Sequence, residues 1–129
     1  MATEHSIVRH MKSLAEALAG PVFIVDPAGT LLYFNAAAEV ILGKQFSETG
    51  ELQASVWSRL FIPTDEEGEP LLPEHLPLMQ TLDQQRPASG RFWIRGLDNA
   101  PRHIEVSAFP LTSRSGDFLG AVAMFWEAR

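Results

Sequence analysis

The sequence contains no cysteine, which excludes disulfides, thiolate zinc sites, cysteine nucleophiles and cysteinyl adducts to a chromophore. It also lacks any apolar run of about 18 residues, the length that a membrane-spanning helix needs. The first twenty residues, MATEHSIVRHMKSLAEALAG, carry charges throughout in place of the uncharged core of a secretory signal. A cytoplasmic chain without membrane contact is expected. Positive charge is scarce: 10 Lys and Arg stand against 16 Asp and Glu, a formal charge of −6, which argues against nucleic acid as a partner. The one dense charge run, DEEGE at 65–69, reads as a solvated loop. No internal repeat, glycine-rich phosphate loop, histidine pair at helical spacing or serine set with a histidine and an acid is present.

What remains is a chain of 129 residues, 46% of them hydrophobic, enough for one globular domain that buries roughly two-thirds of its unfolded surface. Ile7, Met11, Leu14 and Leu18 recur at i, i+4, i+7 and i+11, one stripe of a helix that Ser6 caps and Gly20-Pro21 ends. A helix so short is marginal alone, so its stripe must rest on something. The stretch PVFIVDPAGTLLYFN at 21–35 then places two apolar runs around Asp26-Pro27-Ala28-Gly29, the residues of a hairpin turn. Asn35 stands where a side-chain acceptor caps a helix over 36–42, and Gly43 suits its left-handed end.

The segment KQFSETGELQASVWSRLF reads as short helical turns, and PEHLPLMQTLDQ at 73–84 as a helix with Leu76, Met79 and Leu82 inward. Three strands follow. In the first, 89–96, Phe92 and Ile94 share a face; in the second, 102–111, Ile104, Val106 and Ala108 alternate with His103, Glu105 and Ser107. The last, FLGAVAMFW, is apolar on both faces, so both must be covered. The order defines an α+β domain built on one five-stranded sheet.

An enzyme of this size would need a buried carboxylate or a similar proton-transfer group. The acids here lie in turns (Asp26, Asp98, Asp117), in the acidic run, or on polar faces (Glu39, Glu105), and none sits within an apolar alternation that would raise its pKa. Catalysis is not expected. His103 and Glu105 share a strand face but lack a third metal ligand, and no metal site is expected.

FIVDPAGTLLYFNAAAEVILG, LPEHLPLMQTL and RHIEVSAFPLTSRSGDFLGAVAMFW, in this order, resemble the PAS (Per-Arnt-Sim) sensory and interaction domains. The resemblance implies an antiparallel sheet in strand order 2-1-5-4-3, short helices over one face, and a core pocket that in some members holds haem, flavin or a small metabolite. It divides the chain into an N-terminal amphipathic helix, 1–20, and a PAS core, 21–127. The acidic–apolar–threonine signature that commonly couples the last strand to an outgoing helix is replaced here by Glu127-Ala128-Arg129. The resemblance implies signal transduction, as in two-component systems: the module dimerises, takes a small apolar ligand and regulates an attached or partner effector such as a kinase, cyclase or transcription regulator. The alternative is a dimerisation module with no ligand.

On this reading Phe23, Val25, Met79, Phe92, Ile94, Ile104, Val106, Val122 and Met124 line the pocket. His75 stands near the position of the haem ligand in haem-binding members, but Leu76 to Leu78 depart from the pattern that follows such a ligand. No tightly bound cofactor is expected, and the protein should be colourless. Asn35 is read as a structural cap. Trp93, Phe109, Ala121, Ala123 and Phe125 are then left on the opposite sheet face, an apolar surface that needs a cover. Ile7, Met11, Leu14 and Leu18 are expected to pack across it, within one chain or in a two-fold homodimer.

Overall fold

Asp26 begins the hairpin as its residue type suggests: its Oδ1 accepts the backbone N–H groups of Ala28 at 3.0 Å and Thr30 at 2.9 Å. The turn joins β1 (Val22–Val25) to β2 (Leu31–Phe34). The computed structural model describes residues 6–128; the first five residues of the expected 1–20 helical segment lie outside them. Helix α1 runs over Ser6–Ala17. After β2 come α2 (Ala36–Leu42), α3 (Phe46–Thr49) and α4 (Ala54–Leu60), then a 3-10 turn (Pro73–His75) and α5 (Pro77–Gln84). The expected single helix at 73–84 is divided because Pro77 offers no N–H to continue the turn before it and instead starts a new helix. Strands β3 (Ala88–Arg95), β4 (Pro101–Thr112) and β5 (Phe118–Glu127) complete an antiparallel sheet in the order β2-β1-β5-β4-β3.

Two apolar layers clothe this sheet. On the inner face Phe23, Val25, Phe92, Ile94, Ile104, Val106 and Ala108 pack under α2, α4 and α5. On the outer face Val22, Ile24 and Val122 pack with Val8 and Ala15 of α1.

The pairing register corrects the expected phase of β5. Val106 lies opposite Phe125 and Ala108 opposite Ala123, while Ile24 lies opposite Val122 and Val22 opposite Met124. Directly paired residues share a face. Ala121, Ala123 and Phe125 therefore point inward, and Val122 and Met124 point outward, the reverse of the sequence reading. A strand apolar on both sides has periodicity but no phase; its neighbours supply the phase.

The contact stripe of α1 is also rotated. Val8, Met11, Ala15 and Leu18 join the outer cluster, whereas Leu14 is 51% exposed and Ile7 is only half-buried. The helix covers the sheet within its own chain. Small Ala15, wholly buried, lets the helix axis approach the strands, which a leucine at the centre of the contact would prevent.

Asn35 joins these layers. Its Oδ1 accepts from Ala38 N at 3.1 Å, capping α2, and from Val22 N at 3.0 Å. Its Nδ2 donates to Ala15 O and Gly20 O, both at 2.8 Å. The residue is 1% exposed. Asn35→Ala leaves two buried N–H groups and two carbonyls short of a partner, so a loss of about 3–5 kcal/mol in urea unfolding is expected. Asn35→Ser, which can restore the cap alone, should recover only about 1 kcal/mol of it.

Candidate functional site

The inner cluster is not filled to its centre. A cavity of about 80 Å³ lies between the sheet and the helices. The sheet contributes Phe23, Phe92, Ile94, Ile104, Val106, Ala123 and Phe125; α4 contributes Trp57 and Ser58, and the chain between α4 and α5 adds Phe61, Pro63 and Leu76. All of these are buried. No polar atom is exposed to the space. The Trp57 indole N–H is already engaged, donating to Gly29 O at 2.7 Å, and the ring meets Phe23 edge-on with centroids 5.3 Å apart.

Of the pocket residues expected from sequence, Phe23, Phe92, Ile94, Ile104 and Val106 line this cavity. Val25 and Met79 belong to the surrounding core without reaching it, and Val122 and Met124 are on the other face of the sheet. His75 is exposed on the 3-10 turn and takes no part in the lining. Ala123 and Phe125, expected at an interface, are cavity wall; the phase of β5 was the missing signal. Phe61 and Pro63 were missed because the loop that carries them has no readable period.

The outer face carries a polar network where α1 does not reach. Trp93 stacks on His103 with centroids 4.7 Å apart, and His103 Nε2 lies 2.6 Å from Glu66 Oε1. Glu105 is paired with Arg91 and accepts the indole N–H of Trp126 at 2.9 Å. Hydrogen bonds from Arg91 first and Trp126 second hold the Glu105 carboxyl below the usual carboxylate range. Asp98 is lowered likewise, chiefly by Arg102. Among the described residues no group of three or more His, Asp or Glu is placed to hold a metal, and no helix is long and apolar enough to cross a membrane.

These features can now be set beside known proteins. The PAS fold profile matches residues 9–126, and the chain belongs to the PAS family. The PAS domain of the fruit-fly ELK potassium channel is similar with a TM-score of 0.74 at 9% identity, over 95% of this chain and 98% of that one. A PAS domain from Colwellia psychrerythraea gives 0.67 at 14% identity, over 95% and 98%. That of nitrogen regulation protein NR(II) from Vibrio parahaemolyticus gives 0.62 at 17% identity, over 92% and 97%. No curated protein matches in sequence. Identities this low establish the shared fold, and PAS domains are generally sensory and interaction modules.

Some PAS domains hold haem or flavin, but this cavity does not fit either. It has about 80 Å³ of room, against roughly 300–1,000 Å³ for pockets that enclose drug-sized ligands. It also lacks an exposed polar group to orient a ring system or ligate iron.

The depressed carboxyls set a pH dependence. A group whose pKa is lower in the folded state contributes stability above its unfolded pKa and loses it as pH falls through the folded value. The Glu105 and Asp98 contributions are therefore present at neutral pH and lost only in acid, below the ordinary carboxylate range. In an NMR titration of the Glu105 carboxyl, Arg91→Ala should move the midpoint up towards the ordinary glutamate value, with a smaller upward move for Trp126→Phe.

Proposed function

We propose that the chain is a PAS sensory module whose core cavity takes a small, wholly apolar ligand and whose occupancy is passed to a partner or attached effector. The observation that carries this is the apolar cavity under the helices, walled by Ile104, Val106 and Ala123 with no polar atom facing it. An apolar cavity of about 150 Å³ stays free of water and binds benzene or xenon; a space of about 80 Å³ suits a ligand of a few heavy atoms. Affinity would come from dispersion and shape alone, since no lining atom offers a hydrogen bond.

Xenon is the direct probe. Saturable shifts are expected at the methyl groups of Ile104 and Val106, and Ala123→Leu, which fills the space from β5, should abolish them while leaving the fold intact. Equal shifts in Ala123→Leu would show that the cavity is not the site. Native mass and absorption spectra of the purified chain should show no haem or flavin; a Soret band lost in His75→Ala would overturn that and restore His75 as a ligand.

Association as a homodimer is the second part of the reading. With Ala121, Ala123 and Phe125 inside, the exposed large apolar groups on α1 and on the sheet are Leu14, Trp93, Phe109 and Trp126, each 38–51% exposed. A two-fold contact through this face would cover them. Light scattering at tens of micromolar should give a dimer, and Phe109→Glu a monomer; a wild-type monomer removes the dimer, and a dimer indifferent to Phe109→Glu places its interface elsewhere.

A further inference from the structure

Between α4 and α5 the chain forms a short strap along the free edge of β3. Thr64 and Trp93 exchange both backbone hydrogen bonds at 2.9 Å, and Arg95 N donates to Phe61 O at 2.7 Å. The strap doubles back through a turn in which Asp65 Oδ1 accepts from Glu67 N and Glu69 N, each at 2.9 Å. Leu71 N then closes onto Pro63 O at 2.9 Å. Glu66, at the turn, fastens to His103 across the outer face.

Successive strap residues face opposite ways, as in any extended segment. Phe61 and Pro63 line the core cavity, while Ile62 and Thr64 line a surface groove of about 470 Å³ on the outside. Ile94 of β3 borders both spaces. The strap and Ile94 thus border the cavity on one side and the groove on the other.

The strap is strained at one point. Ile62 has φ +48°, the left-handed region, which a β-branched side chain enters only at a cost. The following residue is proline, which further disfavours a helical conformation at the residue before it. The other non-glycine residues with positive φ among those described are Gln85 and Asn99; neither is β-branched, and one ends a helix while the other sits in a tight turn. Ile62 gains no burial in return, being 57% exposed. Backbone strain is thus stored in the residue between two pieces of cavity wall.

We propose that the strap is the gate of the cavity: Ile62 relaxes to an extended conformation, the Thr64–Trp93 and Phe61–Arg95 hydrogen bonds part, and apolar ligand passes from the groove beside Ile94 into the core. This rests on the cavity being a ligand site. The strain at Ile62 lowers the free-energy gap to the open state, and the Glu66–His103 contact opposes opening from the outer face.

The gate can be locked. Thr64 and Trp93 form a hydrogen-bonded antiparallel pair, whose Cα separation of about 5.5 Å lies within the range a disulfide spans. The chain has no other cysteine, so Thr64→Cys combined with Trp93→Cys forms one defined bridge. Xenon exchange, measured by saturation-transfer NMR, should slow at least tenfold on oxidation and recover on reduction. Xenon that exchanges equally fast through the oxidised form overturns the gate but leaves the cavity reading standing; failure of xenon to bind even the wild type removes both.

A second variant needs no bridge. Ile62→Asn suits the left-handed conformation, so it stabilises the closed strap and should slow amide exchange at Thr64 and Trp93 by about tenfold, with xenon exchange slowed in parallel. Slower amide exchange with unchanged xenon exchange would show that the strap opens but is not the route.

Discussion

The side chain of Asn35 has two donors and two acceptor positions, and all four are used, on four different parts of the chain. The domain has a layer on each side of its sheet, and the polypeptide passes from one to the other between α1 and α2. At that crossing four backbone groups are taken from water: the end of α1, the link at Gly20, the start of β1 and the first turn of α2. One amide satisfies them together. A carboxylate could accept twice but not donate, and a hydroxyl reaches too few partners. The position of α1 on the sheet and of α2 over the core therefore follow from the same residue. A fully satisfied buried network of this kind fixes geometry more sharply than apolar contact alone.

With the two layers fixed, the centre of the sheet decides what the core contains. β5 lies between β1 and β4 and offers Ala121, Ala123 and Phe125 to one face and Val122 and Met124 to the other. That phase puts Ala123 and Phe125 in the cavity wall. Gly120 helps to hold the phase: it has φ +128°, and a Cβ there would stand 2.1 Å from Val25 O. The backbones of β1 and β5 meet at that point more closely than any side chain allows.

The parts of this architecture that could be read from the sequence are those whose causes are local. Asp26 and Gly29 make their turn within five residues, Asn35 and Gly43 bracket one short helix, and the polar side chains of β4 mark its outer face. The parts that could not be read depend on distant partners. β5 takes its phase from the strands beside it. The stripe of α1 has two readings that share Met11 and Leu18, and the larger residues Ile7 and Leu14 favoured the wrong one because hydrophobicity rises with size while close packing selected Ala15. The second role of Asn35, towards Ala15, Gly20 and Val22, is tertiary and leaves no pattern. The strap is least visible of all: it pairs with β3 through one bridge at Thr64, and its anchor joins Glu66 to His103, residues 37 positions apart.

Edge protection and communication meet in that strap. A free β3 would present unpaired backbone groups along its outer side, an invitation to pair with another chain; the strap occupies the part nearest the cavity. The same alternation that places Trp93 outside places Phe92 and Ile94 inside, and it is repeated in the strap by Thr64 outside and Phe61 and Pro63 inside. The inner wall and outer surface here are therefore two sides of one pair of hydrogen-bonded segments. On the proposed reading, a ligand that pushed on Phe61 or Pro63 would bear on the backbone that holds Thr64 against Trp93, and so on the stack of Trp93 with His103 and the hold of His103 on Glu66. No separate chain of contacts through the domain is required for the core to reach its surface, because at this edge the core and the surface are one residue apart.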